Sequence, residues 1–113
     1  MDQVTTPSEF KEAVLDAEGP VLTIFHAAWC SFCQTFLPKF RGTETIPVKK
    51  VEIDISEEIN PLWDTYLIEV VPTLILFEGG SILGRADGVL GKGLAQADLD
   101  GLLAGSGESR GKG

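Results

Sequence analysis

An α/β sandwich, one mixed sheet with helices on both faces, is predicted by three features of this 113-residue chain. Nearly unbroken apolar runs at Val21–Ala28 and Val70–Phe77 have the length and β-branched content of strands buried on both faces. Segments with helical apolar spacing alternate with the strand patterns along the chain. A glycine-containing turn after the second run sends the chain back antiparallel, which makes the sheet mixed.

The elements follow in order. Thr6, Pro7 and Glu9 read as a helix start: Thr6 caps, Pro7 takes the first helical position and Glu9 closes a capping box. That helix is expected to reach Ala17 and to bury Phe10, Ala13, Val14 and Ala17, before Glu18, Gly19 and Pro20 stop it. Strand Val21–Ala28 comes next. A second helix opens at the cysteines, buries Phe36, Leu37 and Phe40, carries Pro38 as a kink and closes at Arg41 and Gly42. Val48–Ile55 alternates in the strand manner. Ser56–Ile68 is predicted helical, restarted at Asn60 and Pro61, with Ile59, Leu62, Trp63, Tyr66 and Leu67 available for burial. After Val70–Phe77, Glu78–Ser81 forms a hairpin turn and Ile82–Val89 the return strand. A last helix, Gly93–Ala104, buries Leu94, Leu99, Leu102 and Leu103. Residues 1–104 are thus expected to form one domain, and 105–113, which hold no apolar residue, a disordered tail.

Composition narrows the function. With 43% apolar residues and only two cysteines, packing and not a disulfide scaffold must hold the fold. A net charge of −8 without a local Lys/Arg cluster argues against nucleic-acid and anionic-membrane partners. The N-terminus has no basic start or apolar core of a signal peptide, and no apolar stretch reaches the ~18 residues of a membrane helix. A cytoplasmic monomer is expected. No glycine-rich phosphate loop is present, and Gln34 after Cys33 excludes haem attachment, so no cofactor is expected.

Chemistry concentrates at Trp29, Cys30, Ser31, Phe32 and Cys33, between an apolar strand and a helix. A cysteine in the first turn of a helix meets unsatisfied N–H groups and the positive end of the helix dipole, both of which favour the nucleophilic thiolate. One helical turn brings the second sulfur back to the first, so the pair can close to a disulfide and reopen.

The surrounding residues extend this pattern. Gly19-Pro20-Val21-Leu22 leads into the strand; Phe25 and Ala27 precede Trp29 and Cys30; Pro38 lies five residues beyond Cys33. Lys50–Asp54 (KVEID), Tyr66, Val71-Pro72-Thr73, Phe77, Gly80 and Gly88 follow in order. In these residues the chain, from about Pro7 to Ala104, resembles the thioredoxin family. The resemblance implies a thioredoxin fold with a four- to five-stranded mixed sheet. It also implies a protein dithiol–disulfide oxidoreductase in cell redox homeostasis, with disulfide-bearing proteins as substrates and a reductase or other thiol as electron donor. By the same resemblance, Cys30 is the attacking and Cys33 the resolving cysteine, Pro72 is a cis-proline that faces the disulfide at the substrate groove, and Val71 pairs with substrate. Trp29, Ser31, Phe32, Gly88 and Val89 line the substrate groove, and Lys50 stands near the site as a cation favouring the thiolate.

Three positions depart from the family pattern. Ser31 and Phe32 replace its usual glycine and proline, which frees an N–H beside the Cys30 sulfur. That would move the couple from the ~−270 mV of thioredoxin toward less reducing values. Ile24 replaces a buried aspartate that relays protons to the resolving cysteine. His26 replaces an aromatic residue and is a candidate for tuning a thiolate. Alternative readings are a disulfide oxidase or isomerase, a non-catalytic adaptor that holds a partner in an apolar groove, and, with Cys30, Cys33 and His26 shared between subunits, a bridging metal site.

Overall fold

The computed structural model describes residues 2–112, with side chains described for residues 3–104. Five strands form one sheet in the order β1-β3-β2-β4-β5. β2 (Pro20–His26) and β3 (Lys49–Asp54) are parallel at its centre, with Phe25 opposite Ile53 and His26 opposite Asp54. β4 (Thr73–Glu78) runs antiparallel to β2, and β5 (Ser81–Ala86) antiparallel to β4. Gly79 and Gly80, at φ 60° and 82°, make the turn between them. β1 (Asp2–Val4), which the sequence does not betray, lies parallel on the outer edge of β3. Three residues are too few to show an alternation, and only a partner 49 positions away makes them a strand.

Helices cover both faces. α1 (Pro7–Phe10) opens with the expected capping box: Glu9 N–H donates to Thr6 Oγ1 at 3.1 Å, and Glu9 Oε1 accepts from Thr6 N–H at 3.1 Å. It runs on as a π turn, Lys11–Leu15, and ends two residues before the expected Ala17. With α3 (Leu62–Thr65), it packs over Phe25, Ile53, Ile75 and Phe77. On the opposite face α2 (Ser31–Gly42) and α4 (Gln96–Lys112) bury Phe36, Leu37, Phe40 and Leu99 against Leu22, Ile24, Leu74 and Leu76. Pro38 sits inside α2 as expected. The α4 backbone continues into the stretch expected as a tail from residue 105, whose side chains lie outside the described residues.

The helix expected over Ser56–Ile68 shrinks to the four residues of α3. Side chains capture the backbone that would otherwise have joined it. Asp54 Oδ1 accepts from Ser56 N–H at 2.9 Å, and Trp63 Nε1–H donates to Ile55 and Glu57 carbonyls at 2.9 and 3.2 Å. Asn60 Oδ1 accepts from Leu62 N–H at 3.0 Å, so the helix starts only there. Leu67, at φ 52°, ends it.

Candidate active site

Cys30 stands four residues past the C-terminal end of β2, at the edge of the sheet where side chains of such folds meet ligands. It is itself the N-cap of α2: its backbone is extended, and its Sγ accepts the Cys33 N–H at 3.1 Å. Sulfur thus takes the place of the usual capping oxygen and receives one of the four unpaired donors of the first turn. This is the one N–H on Cys30 Sγ among the described residues; the N–H that proline's absence frees at Phe32 does not reach it. The extra bond expected from Ser31 and Phe32 is therefore not made, and with it goes the reason for a less reducing couple.

The two thiols differ in access. Cys30 keeps 8% of its surface exposed and donates its S–H to the Val71 carbonyl at 3.4 Å, whereas Cys33 is fully enclosed. Burial, with the contact to Cys30 adding to it, pushes the Cys33 thiol far above the ordinary cysteine range. The Val71–Pro72 peptide is cis, as the resemblance implied.

Above Cys30 lies a cavity of about 320 Å³. α2 and its approach contribute Trp29, Ser31 and Phe32, the segment before β4 Glu69, Val70 and Val71, and the loop after β5 Val89, Leu90 and Gly91. Trp63 completes the wall, with its ring stacked on Trp29 at 6.4 Å between centroids and 3° between planes. A short relay fixes Trp29: its Nε1–H donates to the Ser56 carbonyl at 2.9 Å, while Ser56 Oγ accepts from Ala28 N–H at 2.7 Å and binds Asp54. Trp29 remains 61% exposed and Phe32 42% exposed.

Of the residues expected at the groove, Trp29, Ser31, Phe32, Val71 and Val89 line it. Gly88 and Pro72 are not among the lining residues. A Cβ on Gly88 would meet the Pro72 carbonyl oxygen at 2.4 Å, so only glycine fits against that peptide. Trp63, Glu69, Leu90, Gly91 and Gly93 belong to the site without having been singled out. Phe32 rests on Gly93, where an added Cβ would come within 2.9 Å of its Cβ. Only Trp63, a tryptophan just beyond β3, left a trace in the sequence; the loop residues reach the cavity through the tertiary fold alone.

Lys50 and His26 do not join the site. Lys50 Nζ donates to the Phe40, Arg41 and Thr43 carbonyls at 2.9, 3.0 and 2.8 Å, so it caps the far end of α2. His26 is buried beside Asp54 and Glu52, and neither ring nitrogen meets a hydrogen-bond partner among the described residues. Burial holds its pKa below the ordinary value, against the pull of Asp54 and Glu52. Neither residue bonds a cysteine sulfur. Among the described residues no three His, Cys, Asp or Glu side chains gather as a metal site. No helix there is long and apolar enough to cross a membrane.

The thioredoxin family model matches residues 2–99. A thioredoxin of Pseudomonas aeruginosa is 32% identical over 102 residues, covering 84% of this chain and 90% of that protein. Thioredoxin Y2, chloroplastic, of Arabidopsis thaliana is 35% identical over 88 residues; the match covers 75% of this chain and 52% of that protein, about half its length. The X-ray structure of Fasciola hepatica thioredoxin superposes with a TM-score of 0.76 at 20% identity, covering 92% of this chain and 97% of the other. At that identity the likeness speaks to the fold alone.

Proposed function

Because the chain belongs to the thioredoxin family and is a protein-disulfide reductase with Cys30 and Cys33 as its redox pair, we propose that Cys30 attacks and Cys33 resolves. The observation carrying this assignment is the difference in access: Cys30 opens onto the cavity and Cys33 is sealed beneath it. In the first step the Cys30 thiolate forms a bond to one substrate sulfur, the substrate disulfide breaks, and the other sulfur leaves as thiolate. In the second, the Cys33 thiolate attacks Cys30 Sγ and releases the remaining substrate thiol. Two electrons pass to the substrate, two protons complete its thiols, and Cys30 and Cys33 are left as a disulfide. With Ile24 buried where a carboxylate would relay the Cys33 proton, that proton passes to the thiolate just released.

The Val70–Val71 backbone and the Trp29 and Phe32 rings would hold a polypeptide segment beside Cys30. A reductase or other thiol returns the pair to the dithiol, and Val70 and Phe32 on the rim would govern which donor fits. We place this cycle in the cytoplasm of the cell, in a monomer whose domain is residues 1–104.

The variant Cys33→Ser is expected to accumulate mixed disulfides on Cys30 in a cell extract, identified by mass, and Cys30→Ser to lose insulin reduction. An extract in which Cys33→Ser traps nothing would refute the attacking role of Cys30. Since the cavity offers Cys30 no added donor, the couple is expected near ~−270 mV; a measured value near ~−150 mV would assign an oxidase or isomerase instead.

A further inference from the structure

Glu69 is the one charged residue lining the cavity over Cys30. It is exposed and makes no hydrogen bond or ion pair among the described residues. Its surroundings do not neutralise it. From Glu52 to Gly84 the chain contains no Lys or Arg, while Glu57, Glu58 and Asp64 stand in the same segment. Arg41 and Arg85 touch this segment and both are engaged: Arg41 is paired with Glu52 at 2.7 Å, and Arg85, which donates to the Tyr66 carbonyl at 2.9 Å, is held by Asp87 at 2.8 Å. Lys92 follows Gly91 on the opposite rim without lining the cavity. The carboxylate therefore faces an otherwise uncharged, largely apolar groove with its charge unspent.

Glu69 lies two residues before Val71, whose carbonyl receives the Cys30 thiol. That separation is at most about 7 Å of extended chain, within reach of a long side chain on a segment lying along Val70 and Val71. We propose that Glu69 is a specificity-determining residue, which selects protein disulfides carrying a Lys or Arg within about two residues of the attacked cysteine. The proposal rests on the reductase reading above and adds a substrate class to it: an extended segment, apolar where it meets Trp29 and Phe32 and basic where it meets Glu69.

Three disulfide peptides of one sequence, with Lys, Gln or Glu two residues from the attacked cysteine, test this by kcat/KM. The Lys peptide is expected to exceed the Glu peptide about three- to fivefold at low salt, the range of a partly exposed ion pair. That ratio should shrink at ~1 M salt, where the screening length is ~3 Å. Glu69→Gln should bring it close to one, Glu69→Lys should invert it, and Glu12→Gln, on the remote first helix, should leave it intact. Equal rates for the Lys and Glu peptides in the native chain would overturn the charge selection while leaving the reductase reading in place. So would a ratio that Glu12→Gln alters as much as Glu69→Gln, because overall charge would then explain it. Absence of turnover on all three peptides would remove the reductase reading and this proposal together.

Discussion

Buried charge at single residues carries the pH behaviour of this chain. His26 has its pKa held below the ordinary 6.5 by burial. As pH falls, the unfolded chain takes up this proton first, so the stability contributed by the neutral ring is full above about 6.5 and declines from there toward the lower folded value. Unfolding midpoints in urea should fall between pH 7.5 and 5.5, and His26→Leu should flatten the decline. Glu52 is the mirror case in the acid range. Arg41 Nε and Nη2 reach its two oxygens at 2.7 and 2.8 Å, and Gln3 donates at 3.1 Å, which holds its pKa below 4.5. The stability from ionised Glu52 is complete above about 4.5 and lost as pH drops through the folded value. Arg41→Ala leaves a nearly buried carboxylate with Gln3 alone and should destabilise by about 2 kcal/mol, less than for a fully buried pair because half of Arg41 already meets water. Chemical denaturation at pH 7 reads that difference.

At the scale of elements, the start of α2 and the loop after β5 form one unit with the site. Gly93, at φ 73°, pairs with Val89 in both directions at 3.0 and 2.8 Å and lies under Phe32. An alanine there meets both the left-handed backbone and the Phe32 side chain, so Gly93→Ala should destabilise by about 1–3 kcal/mol and weaken substrate binding through Val89 and Leu90. Phe32→Ala in the same chain should recover part of that loss, which a double-mutant cycle measures. The first helix depends on its cap in a simpler way. Thr6→Ala removes the acceptor of the Glu9 N–H and should reduce stability by about 1 kcal/mol, without altering the Cys30–Cys33 potential.

Over the whole molecule, two apolar layers sandwich the sheet, and β2, which leads to the cysteines, is buried between them. A net charge of −8 acts against this compaction, so thermal stability at pH 7 should rise from low salt to ~0.15 M, as the screening length contracts to ~8 Å. A flat salt response would show the repulsion already balanced by local pairs. Local features were legible along the chain because they depend on neighbours in sequence: the capping box at Thr6, the apolar runs of β2 and β4, the Gly79–Gly80 turn and the cysteine pair at a helix start. The extent of α3 was not, since Asp54, Asn60 and Trp63 draw its expected first turns into side-chain bonds. Nor were β1, the rotation of Lys50 to the far end of α2, the enclosure of His26, or the Glu69 carboxylate facing the groove. The sequence by itself determined the redox pair, because two cysteines one helical turn apart at a helix start, set in the family's pattern of surrounding residues, suffice to identify it. The tertiary structure alone decided which side chains surround that chemistry, because contacts across loops depend on how the sheet edge, α2 and the loop after β5 converge.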